Sequence, residues 1–283
     1  ISTKFVKFFL TINVVYYLLI KYIMKYHNIL HNTVNHIAEI KLNRPDVLNS
    51  FNFQMADEVL HALEKCNNDQ NIRAIILSGI GRAFCAGQDL EEATKNDGPP
   101  INEIIDHTYN PLVKKIKSIK KPVICFVNGV AAGAGANLAI CCDVTFAAKS
   151  AKFIQSFINI GLVPDTGGTY YLPRIIGRQK AMGLMFSGEK ISSEDAEKIG
   201  MIYKSVEDES GYDVAFSFAK KLSLMPTKSI GLIKTLLNKS YENDLANQLD
   251  MEKELQTIAA SSKDYKEGVS AFLDKRVPNY IGD

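Results

Sequence analysis

Two stretches carry residues whose types and spacing suit chemistry. Gly129 to Val144 reads GVAAGAGANLAICCDV, a run of small residues between the strand-like Pro122 to Asn128 and a short helix starting near Ala134. Glycine and alanine leave the backbone open to a ligand, and the first N–H groups of a helix point outward at the positive end of its dipole. Such a run either packs helix on strand tightly or holds a developing oxyanion. The spacing GxGxxL departs from the dinucleotide fingerprint GxGxxG. The second stretch is Val163-Pro164-Asp165-Thr166-Gly167-Gly168. Asp165, just before a glycine turn, is placed either to cap a helix or to move a proton.

The elements that must position these residues follow from periodicity. Strands are expected at His36 to Leu42, Ile72 to Ser78, Pro122 to Asn128, Asp143 to Ala148 and Ile202 to Val206, and helices at Phe51 to Asn67, Ile101 to Ile119 and Ala134 to Cys142. Gly79 to Leu90 reads as a glycine-punctuated loop and Glu91 to Pro100 as a polar, turn-rich connection. From Gly168 onward helices dominate, with Ser192 and Asp195 spaced as a capping box. Alternating strands and helices indicate a layered α/β core.

Composition limits the functional classes. The 283 residues are 46% hydrophobic with a formal net charge of +2, which gives nucleic acid no electrostatic footing. Five cysteines without CxxC spacing and five histidines without HExxH point to a reduced, cytoplasmic protein with no structural metal. Ile1 to Ile23 lack Gly, Ala, Pro, Arg, Asp and Glu, and read as an upstream-translated leader before Met24. The alternative is an anchor at Phe8 to Ile20, short for a membrane span, so no stable membrane association is expected.

Four ordered blocks then carry a resemblance: LNRPDVLNSFN from Leu42, GRAFCAGQDL from Gly81, KPVICFVNGVAAGAGANLAICCDV from Lys121, and GLVPDTGGTYYLPRIIGRQKAMGL from Gly161. From Met24 onward the chain resembles the crotonase, or enoyl-CoA hydratase/isomerase, superfamily. Its likeness is strongest to the branch that isomerises a ring-epoxidised phenylacetyl-CoA, through YNPLVKKIK from Tyr109 and DYKEGVSAFLDKR from Asp264. The resemblance implies an α/β fold, a spiral of ββα units over residues 24–210 with a helical region over 211–283, assembled as a homotrimer or hexamer. It implies an acyl-CoA thioester substrate and no separate cofactor, since coenzyme A is part of the substrate.

Position by position, the resemblance implies oxyanion donors at the backbone N–H groups of Ala86 and Ala134, and a catalytic carboxylate at Asp165. The two glutamates of hydratases fall at Asn137 and Phe157, neither of which does acid/base work, so hydration is expected to be weak. Gly87, Gln88, Asp89, Gly133, Gly135, Asn137 and Phe157 are expected to line the substrate site. Gln88 and Asp89 either shape the pocket or brace its loop. Lys275 either reaches the CoA phosphates or ends a helix in solvent.

Overall fold

The computed structural model describes residues 25–94 and 98–283; the leader proposed over 1–23 lies outside them. The chain opens with a hairpin, β1 (Ile29–Val34) and β2 (Ile37–Leu42), closed by Asn35 and His36, both at positive φ. That is the two-residue turn whose twist matches the paired strands. Helix α1 (Phe53–Asn68) starts where the Asn52 side chain accepts the Met55 N–H at 2.9 Å, and it buries Met55, Val59, Leu63 and Cys66 along one face.

Three strand pairs then wind the chain into a spiral. In each, a longer strand enters a first sheet and a short one enters a second: β3 (Ala74–Gly79) with β4 (Ala83–Cys85), β5 (Val123–Val127) with β6 (Val130–Ala132), and β7 (Val144–Ala148) with β8 (Lys152–Ile154). The first pair leads into α2 (Leu90–Ala93) and then into α3. Helix α3 is α-helical over Ile101–Ile104, π-helical over Ile105–Tyr109 and α-helical again over Asn110–Ser118. The second pair leads into α4 (Ala134–Cys141).

After β8 come α5 (Gly168–Ile176), α6 (Arg178–Ser187), β9 (Lys190–Ser192), α7 (Ser193–Lys198) and β10 (Lys204–Val206). Ser192 caps α7 as expected, accepting from Asp195 N–H at 3.1 Å. Helices α8 (Gly211–Ser223), α9 (Thr227–Lys239), α10 (Leu245–Ala260) and α11 (Lys263–Leu273) finish the chain.

The six-stranded sheet runs β1-β2-β3-β5-β7-β10, parallel except for the hairpin, and the four-stranded sheet runs β4-β6-β8-β9. Strand β5 is buried throughout, as parallel strands covered on both faces must be. The second sheet and β1 were not expected. Three-residue strands between glycines are too short to show an alternation, so Gly79 to Leu90 reads as loop although it contains β4.

Candidate active site

Gly133, at φ 53° and ψ −125°, turns the chain from β6 into α4, a conformation closed to other residues. A Cβ on Gly135 would lie 2.2 Å from the Cys85 carbonyl oxygen, so the start of α4 rests directly on the end of β4. Beyond β4, Gly87 faces the same helix start: its missing Cβ would sit 3.6 Å from Ala134 N. Ala134 is the first residue of α4, and its N–H has no acceptor among the described residues.

The N–H of Ala86 does not join it. Ala86 donates to the Leu48 carbonyl at 3.0 Å, so the donor expected there is already used and turned away from α4. Gln88 has the required direction. Phe51 and Gln88 form a parallel bridge, in which Phe51 donates to the Gly87 carbonyl and Asp89 donates to the Phe51 carbonyl, both at 2.8 Å. In a parallel pair these bonds flank the bridged residue, so the N–H of Gln88 itself points to the opposite edge. Strand β6 and Ala134 lie on that edge, and Gln88 N–H has no acceptor among the described residues.

Asp165 sits between the 3-10 turn Ser156–Ile160 and α5. It does not cap the helix. Gly167 is the N-cap, and the Asp165 carboxylate accepts instead from the Thr166 hydroxyl at 2.7 Å. Its backbone is held from two sides: the carbonyl accepts from Gly168 N–H and from Asn137 Nδ2, each at 2.9 Å. Asn137 reaches it because Gly168 has no side chain; a Cβ there would meet the amide at 2.2 Å. Gln155 Nε2 in turn donates to Asn137 Oδ1 at 2.9 Å. Burial pushes the Asp165 carboxyl above its ordinary value, with the Thr166 hydroxyl and its own backbone N–H pulling partly back. That is the environment of a carboxylate tuned toward base duty.

Several expected contacts resolve into supports. Asn137 is fully buried with both amide ends engaged, so it positions Asp165 and does not line the substrate site. Asp89 pairs with Arg44 at 2.8 Å and accepts from the N–H groups of Glu91 and Glu92, bracing its loop. Burial raises its pKa, but these bonds outweigh it and hold the carboxyl below the ordinary value. The Gly133 N–H is used by the Ile154 carbonyl, and Gly135 packs on Cys85, so these two glycines shape the turn. The Phe157 ring packs beside Gly133 as an apolar wall. Lys275 is exposed after α11, and among the described residues no hydrogen bond or ion pair links it to Ala134 or Asp165.

Tyr109 was not anticipated. It is buried in the π-helical turn of α3, an irregularity that recurs at functional sites, and its hydroxyl donates to Gln88 Oε1 at 2.8 Å. Burial, followed by the negative ends of Cys85 and Asp165, pushes its phenol well above the ordinary range, so it stays a donor. The only sequence signal was a tyrosine at the start of YNPLVKKIK.

The family model for enoyl-CoA hydratase/isomerase matches residues 32–283. The chain belongs to the enoyl-CoA hydratase/isomerase family. It is 46% identical over 257 residues to the 1,2-epoxyphenylacetyl-CoA isomerase of Escherichia coli, covering 90% of this chain and 98% of that protein. It is 41% identical to a probable enoyl-CoA hydratase of Rhodobacter capsulatus, covering 92% and 100%. The crystal structure of an enoyl-CoA hydratase from Bacillus anthracis superposes with a TM-score of 0.85 at 32% identity, covering 91% and 100%. The spiral of the family is thus the fold of this chain. No helix among the described residues is long and apolar enough to cross a membrane.

Proposed function

We propose that this family member is an acyl-CoA isomerase. The thioester oxygen lies between the N–H groups of Ala134 and Gln88, and Asp165 carries the proton. With a 3-enoyl-CoA, Asp165 takes a proton from C2 and the C–H electron pair moves into a C1–C2 double bond as the thioester oxygen gains the negative charge. The protonated Asp165 then returns the proton to C4, the dienolate collapses, and the double bond ends between C2 and C3. Each oxyanion donor contributes about 10² to 10³ in rate. No metal or redox group is called for, because the thioester itself acidifies the C2 proton.

The observation that carries this reading is the pairing of Asp165 with Asn137 and Phe157. Hydration needs one carboxylate to activate water and another to deliver a proton, whereas one carboxylate suffices to move a proton between two carbons. Likeness to the Escherichia coli protein supports a ring epoxide of phenylacetyl-CoA as the substrate. Exposed Leu245, Phe272 and Leu273 on α10 and α11 fit burial between copies, in keeping with a homotrimer or hexamer. The test is to incubate the pure protein with the epoxide, with a 3-enoyl-CoA and with crotonyl-CoA. Isomerisation of one of the first two is expected; hydration of crotonyl-CoA at a comparable rate would replace this reading with a hydratase.

A further inference from the structure

A cavity of about 450 Å³ opens where β3 and β5 begin, walled by the starts of α9 and α11 and by the C-terminal tail. Its charge is one-sided. Arg73, Lys120, Lys121, Lys228 and Lys263 line it against the single carboxylate side chain of Asp283. None of the five cations forms an ion pair among the described residues.

The two cations of the floor are buried and meet only neutral oxygens. Arg73 donates to Thr227 Oγ1 at 2.9 Å, to the Tyr280 carbonyl at 2.9 Å and to the Met225 carbonyl at 2.6 Å. Lys121 donates to the carbonyls of Cys66 and Asp69, at 2.6 and 2.5 Å. Burial pulls both below their ordinary pKa values, with Asp264 pulling Arg73, and Cys66 and Asp69 pulling Lys121, partly back. Asp264, behind the wall, forms no ion pair with Arg73; its two oxygens accept the Ile281 and Gly282 N–H groups at 2.8 Å. The start of α9 has no side-chain cap, so its first N–H groups add to the positive field.

Buried cations at the floor, lysines at the rim and an uncapped helix start make a site for a compact polyanion. We propose that this cavity binds a diphosphate group, free or carried by a nucleoside, at a place separate from the thioester site. Five cations facing one carboxylate match the charge of two linked phosphates better than that of one. Arg73 and Lys121 would face the inner phosphate, and Lys228 and Lys263 the outer one.

Calorimetric titration of the full chain with inorganic pyrophosphate at low ionic strength tests this, repeated with acyl-CoA thioester at saturation and with the variant K228Q/K263Q. One saturable site per chain is expected, indifferent to the thioester and weakened at least about tenfold in the variant, as loss of two charge-assisted contacts requires. No saturable binding, equal binding by the variant, or binding abolished by the thioester would overturn the proposal. Should the double variant melt early, K263Q alone, at an exposed side chain, must still weaken binding; unchanged affinity again overturns it. A parallel titration with ADP separates the sources. Tighter binding than pyrophosphate assigns a nucleoside diphosphate, and weaker binding assigns free diphosphate.

Discussion

The Asn137 side chain donates from Nδ2 to the backbone carbonyl of Asp165 at 2.9 Å, joining α4 to the loop that carries the Asp165 carboxylate. This amide therefore fixes the distance between Ala134 and Asp165. Asn137→Ala leaves the Asp165 carbonyl short of a partner and strands Gln155 Nε2, at a cost of about 1 to 3 kcal/mol. Thermal unfolding and kinetics on one preparation check this. The melting temperature falls and kcat drops more than KM rises, since thioester binding does not use Asn137. An unchanged kcat would reduce Asn137 to packing.

Ala134 occupies the first position of α4, where proline is compatible with the helix and removes only an unpaired N–H. Ala134→Pro deletes the donor and fills its place, so kcat falls by about 10² to 10³ or more. Circular dichroism checks that the fold survives, and full activity in a folded variant would remove Ala134 from the oxyanion site.

Which backbone donor faced Ala134 could not be read from the sequence. Which N–H along CAGQD faces α4 depends on the bridge between Phe51 and Gln88, far apart in the chain. Strict alternation would send the Ala86 and Gln88 N–H groups the same way, but Gly87 between them sits at φ 99° and breaks it, so Ala86 donates to Leu48 while the Gln88 N–H is left facing α4. Asp165 and Ala134 were legible because each sits in a local signature, a glycine turn and a small-residue helix start. Tyr109 and Gln155 were not, for they act through hydrogen bonds to residues 21 and 18 positions away. The longer strands and helices announced themselves by burial pattern, while the second sheet, built largely of three-residue strands, left no periodic trace.

The pH dependence of kcat/KM follows from the raised pKa of Asp165. A base works when ionised, so the rate falls on the acid side, with the midpoint of that limb above the ordinary 3.8. Stability shifts in the same window. The folded state holds this proton to higher pH than the unfolded one, so the Asp165 contribution to stability declines as pH rises from the unfolded pKa through the folded one. Steady-state rates from pH 4 upward locate the limb, and a midpoint at or below 3.8 would show that burial does not tune the group.

The most direct test of proton transfer by Asp165 is the variant Asp165→Asn, assayed on whichever thioester the unaltered protein isomerises. The amide keeps the volume and still accepts from Thr166, yet it is no base. It also removes a charge that burial penalises and takes no cap from α5, so the melting temperature at neutral pH should not fall. Turnover should drop by about 10² to 10⁴ while thioester affinity is retained. Near-normal turnover in the folded variant would contradict the assignment of Asp165 as the group that carries the proton.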